Sequence, residues 1–202
     1  MPFGDFERIL ALLREAEALA TTLDDPQRLA QVSGFLSRHF SFMGAHDQAI
    51  AIAQRVLALA TDDGDIVLHA LANFYLGNAY QAQSDYRPAI ACYKQTVASF
   101  DGARRHECLG LVFLPAVDSR ADLATSHTEL GMFAEGRAFG EEGLRIAEAA
   151  DHPSSLMVAS WGLGALALRQ GDLSRALPLL ERAMGICQDA DLLAWVPGWL
   201  HP

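Results

Sequence analysis

Apolar residues recur along this chain at spacings of three and four, with no sustained alternation of the kind that marks strands, so the pattern predicts helices throughout. The first clear case is Ala49, Ile52, Val56 and Leu59. The chain also repeats itself. The segments SFMGAHDQAIAIAQRVLALA, QAQSDYRPAIACYKQTVASF, ELGMFAEGRAFGEEGLRIAEAA and LRQGDLSRALPLLERAMGIC fall into register, with turn residues Gly44, Ser84, Gly131 and Gly171. A small residue lies just beyond each turn (Ala49, Ala89, Gly136, Ala176) and another well before it (Ser37, Gly77, Ala124, Gly164). Small residues at these two points let paired helices approach closely.

Each unit therefore reads as helix, short turn, helix. The links between units carry Asp24-Asp25-Pro26, Asp62-Asp63-Gly64-Asp65, Asp151-His152-Pro153 and Asp189-Ala190-Asp191. Their carboxylates are expected to cap the next helix, since no loop has the oxygen-ligand spacing of a calcium site. Pro88 falls in a first helical turn, where a missing N–H costs little. The predicted organisation is a second helix of a partial repeat at 3–22, helix pairs at 27–61, 66–100, 113–150 and 154–188, and the start of a truncated repeat at 189–202. The whole forms one all-α, right-handed solenoid with a period of about 40 residues.

The run Leu76-Gly77, Tyr80, Ala89, Tyr93 resembles the tetratricopeptide repeat (TPR), and Leu163-Gly164, Gly171, Ala176, Leu180, Ala183 follows the same frame. The third unit departs from it, with Gly136, Gly140 and Gly143 where helix-favouring residues are usual, which marks its second helix as the least stable. The phrases YLGNAYQAQSDYRPAI, GEEGLRIAEAADHPSSL and RALPLLERAMGICQDADL are similar to the TPR regions of large bacterial signalling proteins, including class III adenylate/guanylate cyclases and LuxR-type activators with an ATPase module. That resemblance implies a non-catalytic interaction and regulatory scaffold, an excerpt of such a protein. Its partners would be protein or peptide segments, or other domains of the parent chain. A different reading is a sensor domain for a small, sugar-like effector, as the LuxR-type activators use such repeats.

Composition narrows the partners. The chain of 202 residues is 51% hydrophobic and 20% charged, so it is not disordered. A formal net charge of −10 has the wrong sign for nucleic acid or an anionic membrane. The start lacks an export signal, and Cys92, Cys108 and Cys187 make neither a disulfide framework nor a zinc set, which fits a reducing cytoplasm.

Nothing in the sequence carries catalysis. Gly162, Gly164 and Ala167 formally match a dinucleotide fingerprint, but within a repeat helix and without a preceding strand. There is no P-loop. His127 and Glu129 diverge on a helix, and His39 and His46 straddle a turn, so neither pair forms a zinc helix. No metal and no cofactor are expected.

The TPR frame instead assigns a ligand groove to the first helix of each unit: Arg38 and Phe42, then Phe74, Asn78 and Gln81, then Thr125 and Thr128, then Trp161 and Arg169. Aromatic faces and directional donors suit a peptide or a compact polar ligand, while Phe74 and Trp161 could equally pack against the neighbouring repeat. Asn78 resembles the asparagine of peptide-clamping TPR domains, whose accompanying lysines are missing here. At the C-terminus Trp195 and Trp199 form an apolar patch through which the chain could pair with itself. The insertion from Phe100 to Pro115 holds the basic spot Arg104, Arg105, His106, beside Cys108. It reads either as a partner-contacting loop with a reactive thiol or as an extended helix end whose apolar half opens the third unit.

Overall fold

The links written in aspartate and proline do become helix starts. A computed structural model describes residues 6–63 and 65–190, and those residues are helical with no strand among them. The helices are α1 (Phe6–Thr22), α2 (Pro26–Phe42), α3 (His46–Asp63), α4 (Ile66–Ala82), α5 (Tyr86–Ser99), α6 (Pro115–Glu129), α7 (Phe133–Ala150), α8 (Pro153–Arg169) and α9 (Leu173–Asp189), with a short 3-10 helix, Gly102–His106, between α5 and α6. Side-chain oxygens of Asp25, Asp65 and Asp172 accept from backbone N–H groups of the first turns of α2, α4 and α9. The third link works differently. Asp151 is left-handed (φ 46) and closes α7, while the ring Nδ1 of His152 accepts from the Ser155 N–H at 3.3 Å to cap α8.

The turns share one geometry. Gly44, Ser84, Gly131 and Gly171 all have positive φ, from +63 to +76. In each, the following residue donates its N–H back across the turn: Ala45 to Phe40, Asp85 to Tyr80, Met132 to His127, Asp172 to Ala167, at 2.8 to 3.0 Å. This is the six-to-one bond of a Schellman C-cap, which requires the left-handed residue. Ser84 holds a conformation that only glycine adopts without cost.

By its contacts the chain divides into two units, residues 1–92 and 93–202, with the boundary inside α5. In the first unit α2 packs on α1, α3 and α4. One cluster joins Leu36, Phe40, Ala49 and Ala79, with Leu10, Leu13 and Ile50 against it, and another joins Ala30, Val56, Ala60, Leu68 and Ala72. In the second unit α8 packs on α6, α7 and α9. Its clusters are Leu114, Val117, Ile146, Ala147 and Ala159, and Phe113, Ala121, Met157, Val158, Ala183 and Cys187. Each large side chain so buried contributes on the order of 1.5–3 kcal/mol.

The paired small residues lie where two helices of one unit touch. The Ser37 hydroxyl donates to the Ala49 carbonyl at 2.9 Å, and a Cβ on Gly136 would come within 2.9 Å of the Ala124 carbonyl. The other glycines of α7 have the same cause: a Cβ on Gly140 would stand 2.7 Å from Leu163, and one on Gly143 3.2 Å from the Cβ of Arg120. These three glycines admit α6 and α8 to the surface of α7, so close packing replaces the helix propensity they lack.

Successive first helices also approach through a small residue. Gly34 of α2 lies against the ring of Tyr75, where a Cβ would overlap it, and Gly162 of α8 sits over Ala121 of α6. Second helices are joined by surface ion pairs, each from a glutamate to an arginine of the next: Glu17 to Arg55, Glu141 to Arg175, and Glu148 to Arg182.

The insertion is not an extended helix end. After α5 it forms the 3-10 turn and then a tight turn in which Leu109 and Gly110 are both left-handed, and its last residues, Phe113 and Leu114, enter the core of the second unit. The Leu114 N–H donates to Ser155 Oγ at 2.9 Å. Arg120, fully buried on α6, ties the insertion down: its guanidinium donates to Asp101 at 2.7 Å, Glu142 at 3.3 Å and the Ala116 carbonyl at 3.0 Å.

Candidate functional site

The first helices pack on most of their circumference, so each has only a narrow outer stripe left. On α2 that stripe is Gln31, Phe35, Arg38 and Phe42, spaced by three and four. Phe35 and Phe42 are 42% and 54% exposed, which is unusual for phenylalanine, and the Arg38 guanidinium stands 5.6 Å over the Phe42 ring. Phe35 meets Tyr75 of α4 with ring centroids 6.5 Å apart. On α4 the half-buried Asn78 and Gln81 occupy the stripe beside it, Asn78 in the register of Arg38. The first unit thus presents an aromatic and cationic face edged by two carboxamides.

Phe74 is not part of it. At 3% exposure it is core, edge-on to Tyr75 at 5.4 Å, so of the two readings open for this residue, packing is the one it follows.

In the second unit the corresponding register positions of α6 are Asp118, which is buried, Asp122 and Thr125, which are half-buried, and Glu129, which is exposed, so three of the four are acidic. Thr125 and Thr128 turn their hydroxyls to their own helix, donating to Ala121 at 3.1 Å and Ala124 at 2.7 Å, and Thr128 is buried. Trp161 of α8 is half-buried against Phe113, Met157 and Val158. Arg169 pairs with Glu129 at 2.9 Å. Of the expected residues, the structure sets Arg38 over Phe42, leaves Asn78 and Gln81 half-buried on α4 and Trp161 half-buried on α8, and engages Arg169 in an ion pair. Phe35 and the acidic residues of α6 were missing from the expected set. Spacings of three and four around Arg38 and Thr125 would have found them.

Trp195 and Trp199 lie outside the described residues. Cys108 is exposed, whereas Cys92 and Cys187 are buried, and none of the three is in a disulfide. Burial pushes the Cys92 thiol up to about 11 and raises that of Cys187, which keeps both protonated. His127 is buried against the Leu123 carbonyl, with the ring of Phe139 at 5.4 Å, and His39 lies between Phe6 and Phe40, where burial lowers its pKa. Among the described residues no three His, Cys, Asp or Glu side chains gather as a metal site, and no helix is long and apolar enough to cross a membrane.

A tetratricopeptide repeat model matches residues 33–67, the stretch from the middle of α2 to the start of α4. Similar solved structures cover nearly the whole chain. BtubC (BKLC) from P. vanneervenii is 19% identical, with 93% of this chain and 75% of that one aligned at a TM-score of 0.69. A putative kinesin light chain of Podosopora anserina with nearly identical TPR-like repeats is 20% identical over 93% and 89%, at 0.64. A Rap protein complexed with Competence and Sporulation Factor is 17% identical over 98% of this chain and 52% of that one, at 0.78. A comparison with curated proteins finds no significant match.

Proposed function

We propose that this helical-repeat chain, whose fold is that of TPR-like solenoids, is a non-catalytic scaffold that binds protein or peptide segments on the outer stripe of α2 and α4. The observation that carries this reading is the exposure of Phe35 and Phe42 on either side of Arg38. Two aromatic rings left in water on a well-packed helix have a hydrophobic reason to be covered, and the intervening guanidinium adds a donor for a carboxylate or carbonyl. Asn78 and Gln81 can each donate to and accept from a peptide backbone at once. A protein of the same fold, Rap, is complexed with Competence and Sporulation Factor, which supports ligand binding as a use of this architecture.

The chain would act as a regulatory region of a cytoplasmic signalling protein, holding a partner or another domain of its own chain. Panning a random peptide library against the intact chain tests the binding reading. Enriched peptides should lose at least tenfold in affinity for Phe42→Ala and for Arg38→Glu, and be indifferent to Leu177→Ala on α9. Failure to enrich any sequence, or equal binding to all three variants, overturns it.

A further inference from the structure

The turn residues Gly44, Ser84, Gly131 and Gly171 are spaced by 40, 47 and 40 residues, so the repeat is broken once, by the insertion between α5 and α6. Most of the added chain fills no core. Phe113 and Leu114 are buried, whereas every residue from Asp101 to Val112 is exposed or half-buried. The two ends of this loop close on one guanidinium: the buried Arg120 donates to Asp101 at 2.7 Å and to the Ala116 carbonyl at 3.0 Å. Within the loop the Glu107 N–H donates to the Arg104 carbonyl at 3.0 Å and the Leu111 N–H to the Cys108 carbonyl at 2.8 Å, while Arg105 Nε donates to the Gly102 carbonyl at 3.1 Å. A compact surface loop with joined ends and a rigid base is a form that binding residues use.

The crown of the loop presents charge. Arg104 and Arg105 are half-buried and His106 is exposed, all three in the 3-10 turn. Elsewhere Arg14, Arg55, Arg169, Arg175 and Arg182 each face a carboxylate of their own chain, but among the described residues neither Arg104, Arg105 nor His106 makes an ion pair. This is not for want of carboxylates, since 25 Asp and Glu stand against 15 Lys and Arg. Of the two carboxylates in the loop, Asp101 is held by Arg120, which leaves Glu107 alone beside two arginines and a histidine. A 3-10 helix has three residues per turn, so these three successive side chains fan out around its axis. A flat protein face would meet only one of them, whereas an extended chain can bend around the turn and meet all three.

We propose that the loop 101–112 is a docking point for a flexible acidic segment, rich in Asp and Glu, of a partner protein. Carboxylates along the segment accept charge-assisted hydrogen bonds from the terminal N–H groups of Arg104 and Arg105 and from the ring of His106. The Arg120 clamp orders the loop in advance, so little freedom is lost on binding. The loop belongs to the second unit, and its role stands whether or not the face of α2 and α4 binds peptides.

Anisotropy of a fluorescein-labelled octaglutamate peptide tests this at about 0.15 M salt, where the repulsion of the −10 chain is screened beyond ~8 Å. The peptide should bind the intact chain saturably. Arg104→Glu with Arg105→Glu should weaken binding by about tenfold, and Arg104→Gln with Arg105→Gln by about threefold. The milder pair decides the matter if circular dichroism shows that the first unfolds the chain. Arg87→Glu with Lys94→Glu, exposed on α5, makes the same change in net charge and should alter affinity by less than about twofold. Asp101→Asn separates a built loop from a mere patch of charge. It makes the loop more positive but loosens the clamp, so affinity should fall, whereas charge alone would raise it. Inorganic phosphate should displace the peptide only at concentrations far above that of the peptide. The proposal is overturned if the peptide does not bind below about 1 mM, if the α5 pair weakens binding as much as the loop pair, if Asp101→Asn tightens it, or if phosphate displaces the peptide at matching concentration, which would mark a simple anion site.

Discussion

Ser37 and Ala49 are joined by a 2.9 Å hydrogen bond from the Ser37 hydroxyl to the Ala49 carbonyl, and the same two register positions bring Ala124 against Gly136 in the second unit. Contact at this point holds both positions to small side chains, serine against alanine in one pair and alanine against glycine in the other. At Gly136 even a methyl group is too much, because the atom it meets is backbone. A pair of substitutions separates this steric effect from helix propensity.

Gly136→Ala should destabilise the chain by about 1–3 kcal/mol, as overpacking against a fixed carbonyl does, although alanine is the better helix former. Gly185→Ala, in the middle of α9 with open space around the missing Cβ, should stabilise by roughly 0.5–1 kcal/mol. Urea denaturation followed by circular dichroism reads both. Equal signs for the two would remove the steric account of the α7 glycines.

Ser84→Gly should also stabilise. Its φ of +63 is the conformation that glycine supplies at Gly44, Gly131 and Gly171. Relief of that strain outweighs the extra freedom of glycine in the unfolded chain, for a net of roughly 0.5–1 kcal/mol. The reciprocal change, Gly131→Ser, should lower the melting temperature by a comparable step of about 2–4 °C.

Arg120 holds the insertion against α6 and α7, and Asp101 and Glu142, its partners, are each partly exposed. Arg120→Ala loses both the ion pairs and the packing of the buried stem and should cost about 2–4 kcal/mol, while Arg120→Met keeps the stem and should recover part of that. Asp101→Asn is milder in stability, yet it should speed amide hydrogen exchange of the turn Gly102–His106. Unchanged exchange would mean that the turn is held by other contacts.

The pH dependence of stability has a definite sign at His39. Burial between Phe6 and Phe40 lowers its pKa below the ordinary 6.5, so the unfolded chain binds the proton more readily than the folded one. Its contribution is complete above pH 6.5, begins to be lost as pH falls past that value, and is fully lost below the folded pKa. A His39→Leu variant should show a shallower decline in denaturation midpoint over that range than the natural chain.

Much of the fold was legible because repetition averages out local ambiguity. The left-handed turns at Gly44, Gly131 and Gly171 announce themselves as glycine, and only the shared register identifies Ser84 as the fourth. The capping carboxylates of Asp25 and Asp65 follow from composition alone. Where the reading was incomplete, the cause is tertiary. Phe74 and Phe35 are both aromatic residues on first helices, and only tertiary packing separates them, Phe74 buried and edge-on to Tyr75 and Phe35 exposed beside the same ring. The α7 glycines look like weakness in a propensity scale because that scale takes no account of the neighbours at 2.7 to 3.2 Å. Asp151 resembles its fellow link aspartates, yet one step of register makes it a helix end and leaves the cap to His152.

The ion pairs have a kinetic consequence. Arg14, Arg28, Arg55, Arg120, Arg169, Arg175 and Arg182 each face a carboxylate of their own chain, against 15 lysines and arginines in all. At distances beyond a few ångströms such pairs cancel, so an approaching molecule feels the unmatched carboxylates of a −10 chain. Encounter is then accelerated for basic partners and slowed for acidic ones, with both effects fading as salt is added. The Phe35–Arg38–Phe42 face acts at short range only. Capture by it is decided after contact, in the lifetime of the complex rather than in the rate at which complexes form.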